Sequence, residues 1–287
     1  MPFLLARGGA NVPAEVQRWQ YFLLKQGINQ VGSIDADFGM KTEMATQFFQ
    51  VREGLNTNGK ADAKTLGRAA ELGYTIVPDD YYQKRSGSDF PRKPTNLSSP
   101  DNETRNRIFT CFKFIQRPLF QRPDKEAIVI KGSCDGREPD WVAAHIIDIE
   151  VPQLKFASGF RGTLRCHSKA APVIAKLFAK WEADDLLHLI RAFEGGFVPR
   201  YKRDQEPPGV GGHSEKRSRD VSELSNHSFG SGFDINFADN PFPGEPAEVG
   251  RRGATRELVA AANSLGIYWG GHFSNKDGNH FEVSKLP

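Results

Sequence analysis

The chain has 287 residues and a formal net charge of +3, and 38% of its residues are hydrophobic. This balance is typical of a globular protein and excludes a chain that is disordered throughout, while the length allows two domains. The small positive charge gives no reason to expect a nucleic acid partner, although it suits a protein that meets an anionic polymer.

The three cysteines, Cys111, Cys134 and Cys166, cannot all pair, and their spacing is not that of a metal knuckle. We expect reduced structural thiols, as in a protein made and stored in the cytosol, with one disulfide as the alternative. The N-terminus has only a short apolar run and no basic leader, so we expect no signal peptide. No apolar stretch is long enough to span a bilayer.

Residues 10–72 predict a small helical unit. Residues 12–27 carry apolar residues at a helical period, and Gly27 is a stop signal. Residues 41–52 predict a second helix and residues 63–72 a third, and two turns rich in Asp and Gly separate them. In the second helix we expect four side chains to face inward: Met44, Ala45, Phe48 and Phe49.

The order of these helices and turns resembles the peptidoglycan-binding domain that accompanies many wall hydrolases, over about residues 12–72. The resemblance implies that this unit binds the cell wall. Composition alone predicts only a three-helix bundle, for which docking to another partner is the alternative. The residues that carry the resemblance are Val16-Gln17, Phe38-Gly39, Lys41-Thr42-Glu43, Phe48-Phe49-Gln50, Gly54-Leu55 and Gly59.

Residues 78–104 are rich in Pro, Ser, Asp, Asn and Lys and have no apolar period, which predicts a linker. We therefore expect a helical domain at 1–77, a linker at 78–104 and a second domain at 105–287.

The sequence of the second domain predicts a mixture of strands and helices. Residues 107–114 fit a helix or a strand, 127–131 and 142–151 fit strands, and 168–192 form the longest helical pattern, whose apolar residues belong to a core. A last helix is expected at 255–265. Three histidines in this part, His145, His167 and His188, fit structural roles.

Two later stretches hold residues of the type that bind a catalytic metal. A catalytic zinc site needs three His, Asp or Glu ligands, an open position for water, and a base near the metal. His227, Asp234 and His280 can provide the ligands, and Asp277 can be the base. Alternation of apolar and polar residues predicts one strand around Asp234 and another at 280–283, with His280 and Glu282 on the same face.

These stretches closely resemble the zinc D-alanyl-D-alanine carboxypeptidase and L-alanyl-D-glutamate endopeptidase family of cell-wall peptidases, over most of residues 140–284. The resemblance implies zinc on His227, Asp234 and His280, with Asp277 as the acid/base. It also implies an upstream arginine that faces substrate. The residues that carry it are Ser225, His227, Gly230, Asp234, Trp269-Gly270-Gly271, Asp277 and His280-Phe281-Glu282, with Val151–Leu154, Arg165–His167 and Phe197–Arg200 upstream.

Arg200 is the best match to this arginine, and Arg203 and Arg191 are weaker candidates. The charged segment 204–223 is longer than expected for the family; it is either a lid or a solvated insertion, and its His213 is a poor ligand candidate. Around the metal we expect Ser225, Trp269 and His272 to contact substrate.

We thus expect an α+β protein with a small N-terminal three-helix bundle and a C-terminal zinc peptidase domain, in which helices flank a central antiparallel sheet. The predicted function is zinc-dependent cleavage of the peptidoglycan stem peptide, as an L-Ala-D-Glu endopeptidase or a D-Ala-D-Ala carboxypeptidase. The predicted biology is that of a monomeric endolysin without membrane insertion, released by lysis, through a holin pore or by secretion. The alternatives are a secreted antibacterial effector, a peptidase for another peptide, and a non-catalytic wall-binding protein.

Overall fold

The structure, a computed structural model, describes residues 4–78, 80–83, 89–117, 126–202, 215–216 and 224–287. It has the α+β class that the sequence predicts. The α-helices are α1 (Pro13–Lys25), α2 (Met40–Arg52), α3 (Ala63–Glu71), α4 (Asn102–Phe109), α5 (Trp141–His145), α6 (Ala171–Ala183) and α7 (Val259–Ser264). The strands are β1 (Phe112–Gln116), β2 (Ile128–Ser133), β3 (Ile146–Glu150), β4 (Thr163–His167), β5 (Phe193–Gly195), β6 (Glu215–Lys216), β7 (Gly232–Ile235), β8 (Ile267–Trp269) and β9 (His280–Val283).

Helices α1, α2 and α3 surround an aromatic core centred on Trp19. The Trp19 ring contacts Phe22, Phe49 and Tyr74, all of which are buried. Asp62 is the N-cap of helix α3, and its side chain accepts a hydrogen bond from the Thr65 N–H. This confirms the predicted small helical bundle.

The expected inward face of α2 is half wrong. Ala45 and Phe49 are fully buried, whereas Met44 is 47% exposed and Phe48 is 51% exposed. Consecutive helical residues differ by about 100° around the helix axis. A face centred on Ala45 and Phe49 therefore turns Met44 and Phe48 toward solvent.

Every strand pairing in the described residues is antiparallel. The strands form a three-stranded sheet in the order β2-β1-β6, a β3-β4 pair, and a four-stranded sheet in the order β5-β7-β9-β8. Helix α6 covers the four-stranded sheet, where Phe178 and Trp181 pack on Phe233 and Phe281. This core fixes the two strands that carry the candidate metal ligands.

Three expected elements differ in detail. The ambiguous stretch 107–114 contains the end of α4 and the start of β1, and 142–151 contains most of α5 before β3. The long helix predicted at 168–192 ends at Ala183, because Asp185 has a left-handed backbone (φ 55°) that interrupts helical hydrogen bonding. A single 3-10 turn follows at Leu187–Leu189.

The expectation of reduced thiols is wrong for two of the three cysteines. Cys111 precedes β1 and Cys134 follows β2, and antiparallel pairing of these strands brings their Cα atoms to 5.4 Å, where they form a disulfide. The cysteines are 23 residues apart in sequence, so this bond could be predicted only once the pairing of β1 with β2 was known. Cys166 is buried and free.

Helix α1 also packs against the C-terminal part of the chain. Gln17 donates to the His188 carbonyl and accepts from the Gly253 N–H, and Arg18 pairs with Asp185 at 2.8 Å. The predicted domain limits stay a prediction, but the two predicted domains share a polar interface in which Gln17 and Arg18 are buried. In the described parts of the chain, none of the helices has the length and apolar character needed to cross a membrane.

Candidate metal centre and active-site cavity

Strands β7 and β9 place two of the three candidate ligands opposite each other. In their antiparallel register Asp234 pairs with His280, and both side chains are buried. Two residues along the ladder, and so on the same face of the sheet, Gly232 pairs with Glu282. A Cβ atom on Gly232 would lie 2.8 Å from His280 Cε1, so glycine leaves the space that the His280 ring occupies.

The third candidate ligand lies on a tight turn before β7. A 3-10 turn at Asn226–Phe229 carries His227; the Ser225 side chain caps its start and Gly230 ends it with φ 65°. A Cβ on Gly230 would lie 2.6 Å from the His167 N atom. The turn therefore requires glycine at this position for both conformation and space.

The three side chains converge on one point. The His227 Nε2 atom lies 3.1 Å from Asp234 Oδ1 and 3.2 Å from His280 Nδ1, and His280 Nδ1 lies 2.8 Å from Asp234 Oδ1. Among the described residues this is the group of His, Cys, Asp and Glu side chains that could hold a metal ion. His145, His167 and His188 are not part of it.

The remaining ring nitrogen of each histidine has its own partner. His227 Nδ1 lies 2.6 Å from the Gly196 carbonyl oxygen, and His280 Nε2 lies 3.2 Å from Glu282 Oε2. Partners of this kind fix the tautomer and orientation of metal-binding histidines. Strand alternation placed Glu282 on the His280 face in the sequence, and this two-residue spacing was a signal for a role that was not predicted.

The site combines buried charges of both signs. Burial disfavours ionised Asp234, but His227 and His280 outweigh this effect and hold its pKa well below the usual range. Burial lowers the pKa of His227. Burial also opposes protonation of His280, but Asp234 and Glu282 raise its pKa to about 10. Two carboxylates and two imidazoles in one buried cluster provide the negative charge and donor atoms that a divalent cation requires.

A cavity of about 460 Å³ opens beside this cluster. His280 lines it, together with Asp277 and Arg200. Arg200 Nη2 lies 3.9 Å from Asp234 Oδ2, so the guanidinium is next to the ligand cluster. The other described lining residues are Lys93, Ser98, Ser99, Lys202, Ser225, Asn226, Phe242, Tyr268, His272, Phe273, Ser274 and Asn275.

Backbone and side-chain contacts position Asp277. Its N–H donates to the Gly270 carbonyl at 3.0 Å, and its own carbonyl accepts from the His280 N–H at 3.1 Å. The Asn279 side chain donates to Asp277 Oδ1 and to the Asn240 carbonyl. Asn279 is fully buried. No role was predicted for Asn279 from the sequence, because an Asn in an Asp-Gly-Asn turn has an ordinary turn function.

The three predicted substrate contacts occupy different positions. Ser225 and His272 line the cavity. Trp269 does not line it: the side chain is fully buried and its indole N–H donates to the Gly278 carbonyl at 2.9 Å. Trp269 therefore supports the cavity from behind, against Phe90 and His272.

The alternative arginines are elsewhere or not described. Arg191 pairs with Asp239 at 2.7 Å and donates to the Ile34 carbonyl, so it belongs to the interface with the N-terminal helices. Arg203 and His213 lie outside the described residues, as does segment 204–223 except for β6. Arg200 is thus the predicted arginine that the structure brings to the cavity.

The donor set fits zinc. Nitrogen and oxygen ligands at about 2.0–2.2 Å from a tetrahedral ion are separated from each other by about 3.3–3.5 Å. The three observed separations, 2.8–3.2 Å, are close to this spacing. Three protein ligands beside a cavity also leave room for a fourth, exchangeable ligand.

Two parts of the chain match known families. Residues 219–283, which contain the His227, Asp234 and His280 cluster, match the family model described as D-alanyl-D-alanine carboxypeptidase. This segment is similar to those carboxypeptidases. Residues 13–68, which span α1 and α2 and most of α3, match the model of a putative peptidoglycan binding domain. No curated protein sequence matches the chain. The two family matches indicate a peptidase of the cell wall, with peptidoglycan as its partner.

Proposed function

We propose that this protein is a zinc-dependent peptidoglycan peptidase that cuts the stem peptide and acts as an endolysin. The bond is either the L-Ala-D-Glu bond inside the stem or the terminal D-Ala-D-Ala bond. The observation that supports this proposal most is the buried His227, Asp234 and His280 cluster, which opens onto the same cavity as Asp277 and Arg200.

His227, Asp234 and His280 would hold the zinc ion, and Gly196 and Glu282 would orient the two rings. When bound, zinc supplies Lewis-acid chemistry that activates water and polarises a carbonyl group. Asp277 takes the proton of the attacking water and gives it to the leaving amine. Arg200 binds a substrate carboxylate, or the oxygen that becomes negative during attack, through its fixed fork of donors.

The test is mass spectrometry of purified sacculi after digestion by the zinc-loaded full chain. Loss of a terminal alanine identifies a carboxypeptidase, and stem peptides released from L-Ala identify an endopeptidase. Asp277→Ala should remove the products and keep zinc, because Asp277 is not one of the clustered ligands. His227→Ala should lose zinc as well, as measured by metal analysis of the dialysed protein.

Asp184→Ala is the matched control, since it removes an exposed carboxylate that pairs only with Lys180 on α6 among the described residues. It should keep both zinc and activity. Identical digests from the wild type, Asp277→Ala and buffer would contradict the proposal. Zinc binding with no turnover would instead support a non-catalytic wall-binding protein.

A further inference from the structure

Residues 89–100, expected to be a linker, form one wall of the active-site cavity. We call these residues the strap. Lys93, Ser98 and Ser99 of the strap line the cavity together with His280 and Asp277. A segment outside the matched peptidase segment therefore contributes directly to the surface that meets substrate.

The first end of the strap is held by charge and aromatic contacts. Asp89 accepts from Arg256 at 2.9 Å and from the Val249 N–H at 3.0 Å, and the Asp89 side chain is only 6% exposed. The Phe90 ring packs on Trp269 at 5.5 Å and lies beneath the Arg256 guanidinium. These contacts fix the backbone just before Lys93.

Hydrogen bonds hold the strap on both sides of Lys93. His272 Nε2 donates to the Pro91 carbonyl at 2.8 Å, and Ser284 Oγ donates to the Ser98 carbonyl at 2.5 Å. Leu97 is buried between them in sequence. The Lys93 backbone is thus anchored two residues before and five residues after it, beside the cavity that Lys93 lines.

Lys202 reaches the cavity from another part of the chain. Tyr201 is buried and pairs with Leu224 in an isolated antiparallel bridge. Because side chains alternate along extended backbone, Arg200 and Lys202 lie on the face opposite Tyr201, and both line the cavity. Three cationic side chains, Lys93, Arg200 and Lys202, therefore line the cavity together with Asp277.

Of these three cations, the described contacts place Arg200 at the ligand cluster, with its Nη2 atom 3.9 Å from Asp234 Oδ2. We propose that Lys93 and Lys202 form an anion subsite that binds a second carboxylate of the substrate, away from the scissile bond. This inference rests on the proposed function and specifies its substrate as an acidic peptide with at least two carboxylates.

The test compares synthetic stem peptides that carry a free α-carboxylate on the D-Glu residue, or on the diamino acid, with analogues in which that group is a carboxamide. For the preferred acid, Lys93→Gln and Lys202→Gln should each raise KM about tenfold, which corresponds to about 1.4 kcal/mol of binding free energy, and leave kcat within about twofold, because each variant loses a charge-assisted contact with the carboxylate. For the matching carboxamide both variants should resemble the wild type. Lys180→Gln, which removes an exposed lysine on α6, is the matched control.

Binding of the same peptides to Asp277→Ala, measured by calorimetry, separates this inference from the proposed function. If the wild type cuts the peptides but the lysine variants weaken acid and carboxamide equally, or weaken neither, the subsite is wrong and the peptidase assignment stands. If nothing is cut but the lysine variants still bind the acid more weakly and the carboxamide unchanged, the subsite stands and the peptidase assignment is wrong. If no peptide binds, both are wrong.

Discussion

A single buried amide, Asn279, holds the carboxylate that we assign as the acid/base. It donates to Asp277 Oδ1 and to the Asn240 carbonyl, which ties Asp277 to the loop behind β7. Asn279 touches neither the cavity nor the clustered ligands in the described contacts. It is therefore a positioning residue, and it acts through Asp277.

Asn279→Ala should lower kcat about tenfold to a hundredfold, because a hydrogen bond to a charged group contributes roughly 1.5–3 kcal/mol. KM should change less than about twofold, since substrate contacts remain, and zinc content should stay at the wild-type level. Steady-state kinetics and metal analysis check both parts. Asn275→Ala, at a residue that lines the cavity, is the comparison, and an equal rise in KM in the two variants would show that Asn279 acts on binding instead.

At the residue scale, the grouping of His227, Asp234 and His280 could be anticipated because local patterns place each of them on its turn or strand. His227 and Asp234 are seven residues apart, and two-residue alternation places Asp234 and His280 on one sheet face once β7 and β9 pair. Trp269 shows the limit of such reasoning. A tryptophan in a Trp-Gly-Gly sequence fits a substrate contact as well as it fits a buried position. Only the packing of Trp269 on Phe90 and His272 shows that it lies behind the cavity.

At the element scale, the β1-β2 hairpin is closed by a covalent bond. The Cys111–Cys134 disulfide joins residues 23 positions apart, and Phe112 packs directly on Phe229 of the turn that carries His227. The hairpin therefore supports one side of the metal cluster. One disulfide was the alternative to reduced thiols, but an odd number of cysteines does not identify which two form the pair.

The Cys111→Ser, Cys134→Ser double variant should lose about 3 kcal/mol of unfolding free energy, as expected for a loop of this length. Denaturant unfolding in the presence and absence of dithiothreitol measures the loss. The reductant should destabilise the wild type by a similar amount and leave the double variant unchanged. Equal unfolding midpoints for the oxidised and reduced wild type would contradict a stabilising role.

The bounds and buried faces of the other elements were predictable where the spacing of apolar residues determines them. Strand β9 begins and ends where alternation predicts, while α6 is shorter than its apolar pattern because Asp185 adopts a left-handed backbone. In α2 apolar residues occur on several sides of the helix, so the sequence does not show which side is buried. Tertiary contact with Trp19 selects the Ala45 and Phe49 side.

At the scale of the whole molecule, α1 joins the wall-binding match to the catalytic part. The Gln17 amide bridges the His188 carbonyl and the Gly253 N–H, and on the other side Asn236 donates to the carbonyls of Leu189 and Gly253. Asn236 follows Asp234 by two residues. The N-terminal helices thus brace the same two segments that support β7.

Gln17→Ala should reduce the free energy of unfolding by about 1–3 kcal/mol, since it leaves buried polar groups without partners. The wild type should unfold in one cooperative transition, because the shared interface couples the two parts. Differential scanning calorimetry measures both, with the exposed Gln30→Ala as control. Two well-separated transitions in the wild type would show that the parts unfold independently.

This interface was beyond prediction from the sequence. Gln17 and Arg18 are polar residues on an amphipathic helix, which usually indicates a solvated face. Their partners, Asp185, His188 and Gly253, are more than 160 residues away. No local pattern connects such distant positions. For the same reason the composition of the strap predicted only a linker, because the residues that the strap contacts are far away in the sequence.

The strap also determines where this chain can be recombined with others. A chimera joined at residue 104, as composition suggests, would exchange Lys93 and the Phe90 anchor along with the wall-binding helices, and so alter the catalytic surface. A joint before residue 89 keeps that surface intact. A transplanted targeting module would still need a surface that replaces the Gln17 face of α1. The transferable catalytic unit is therefore longer than its family match, and it also needs a helix packed where α1 packs.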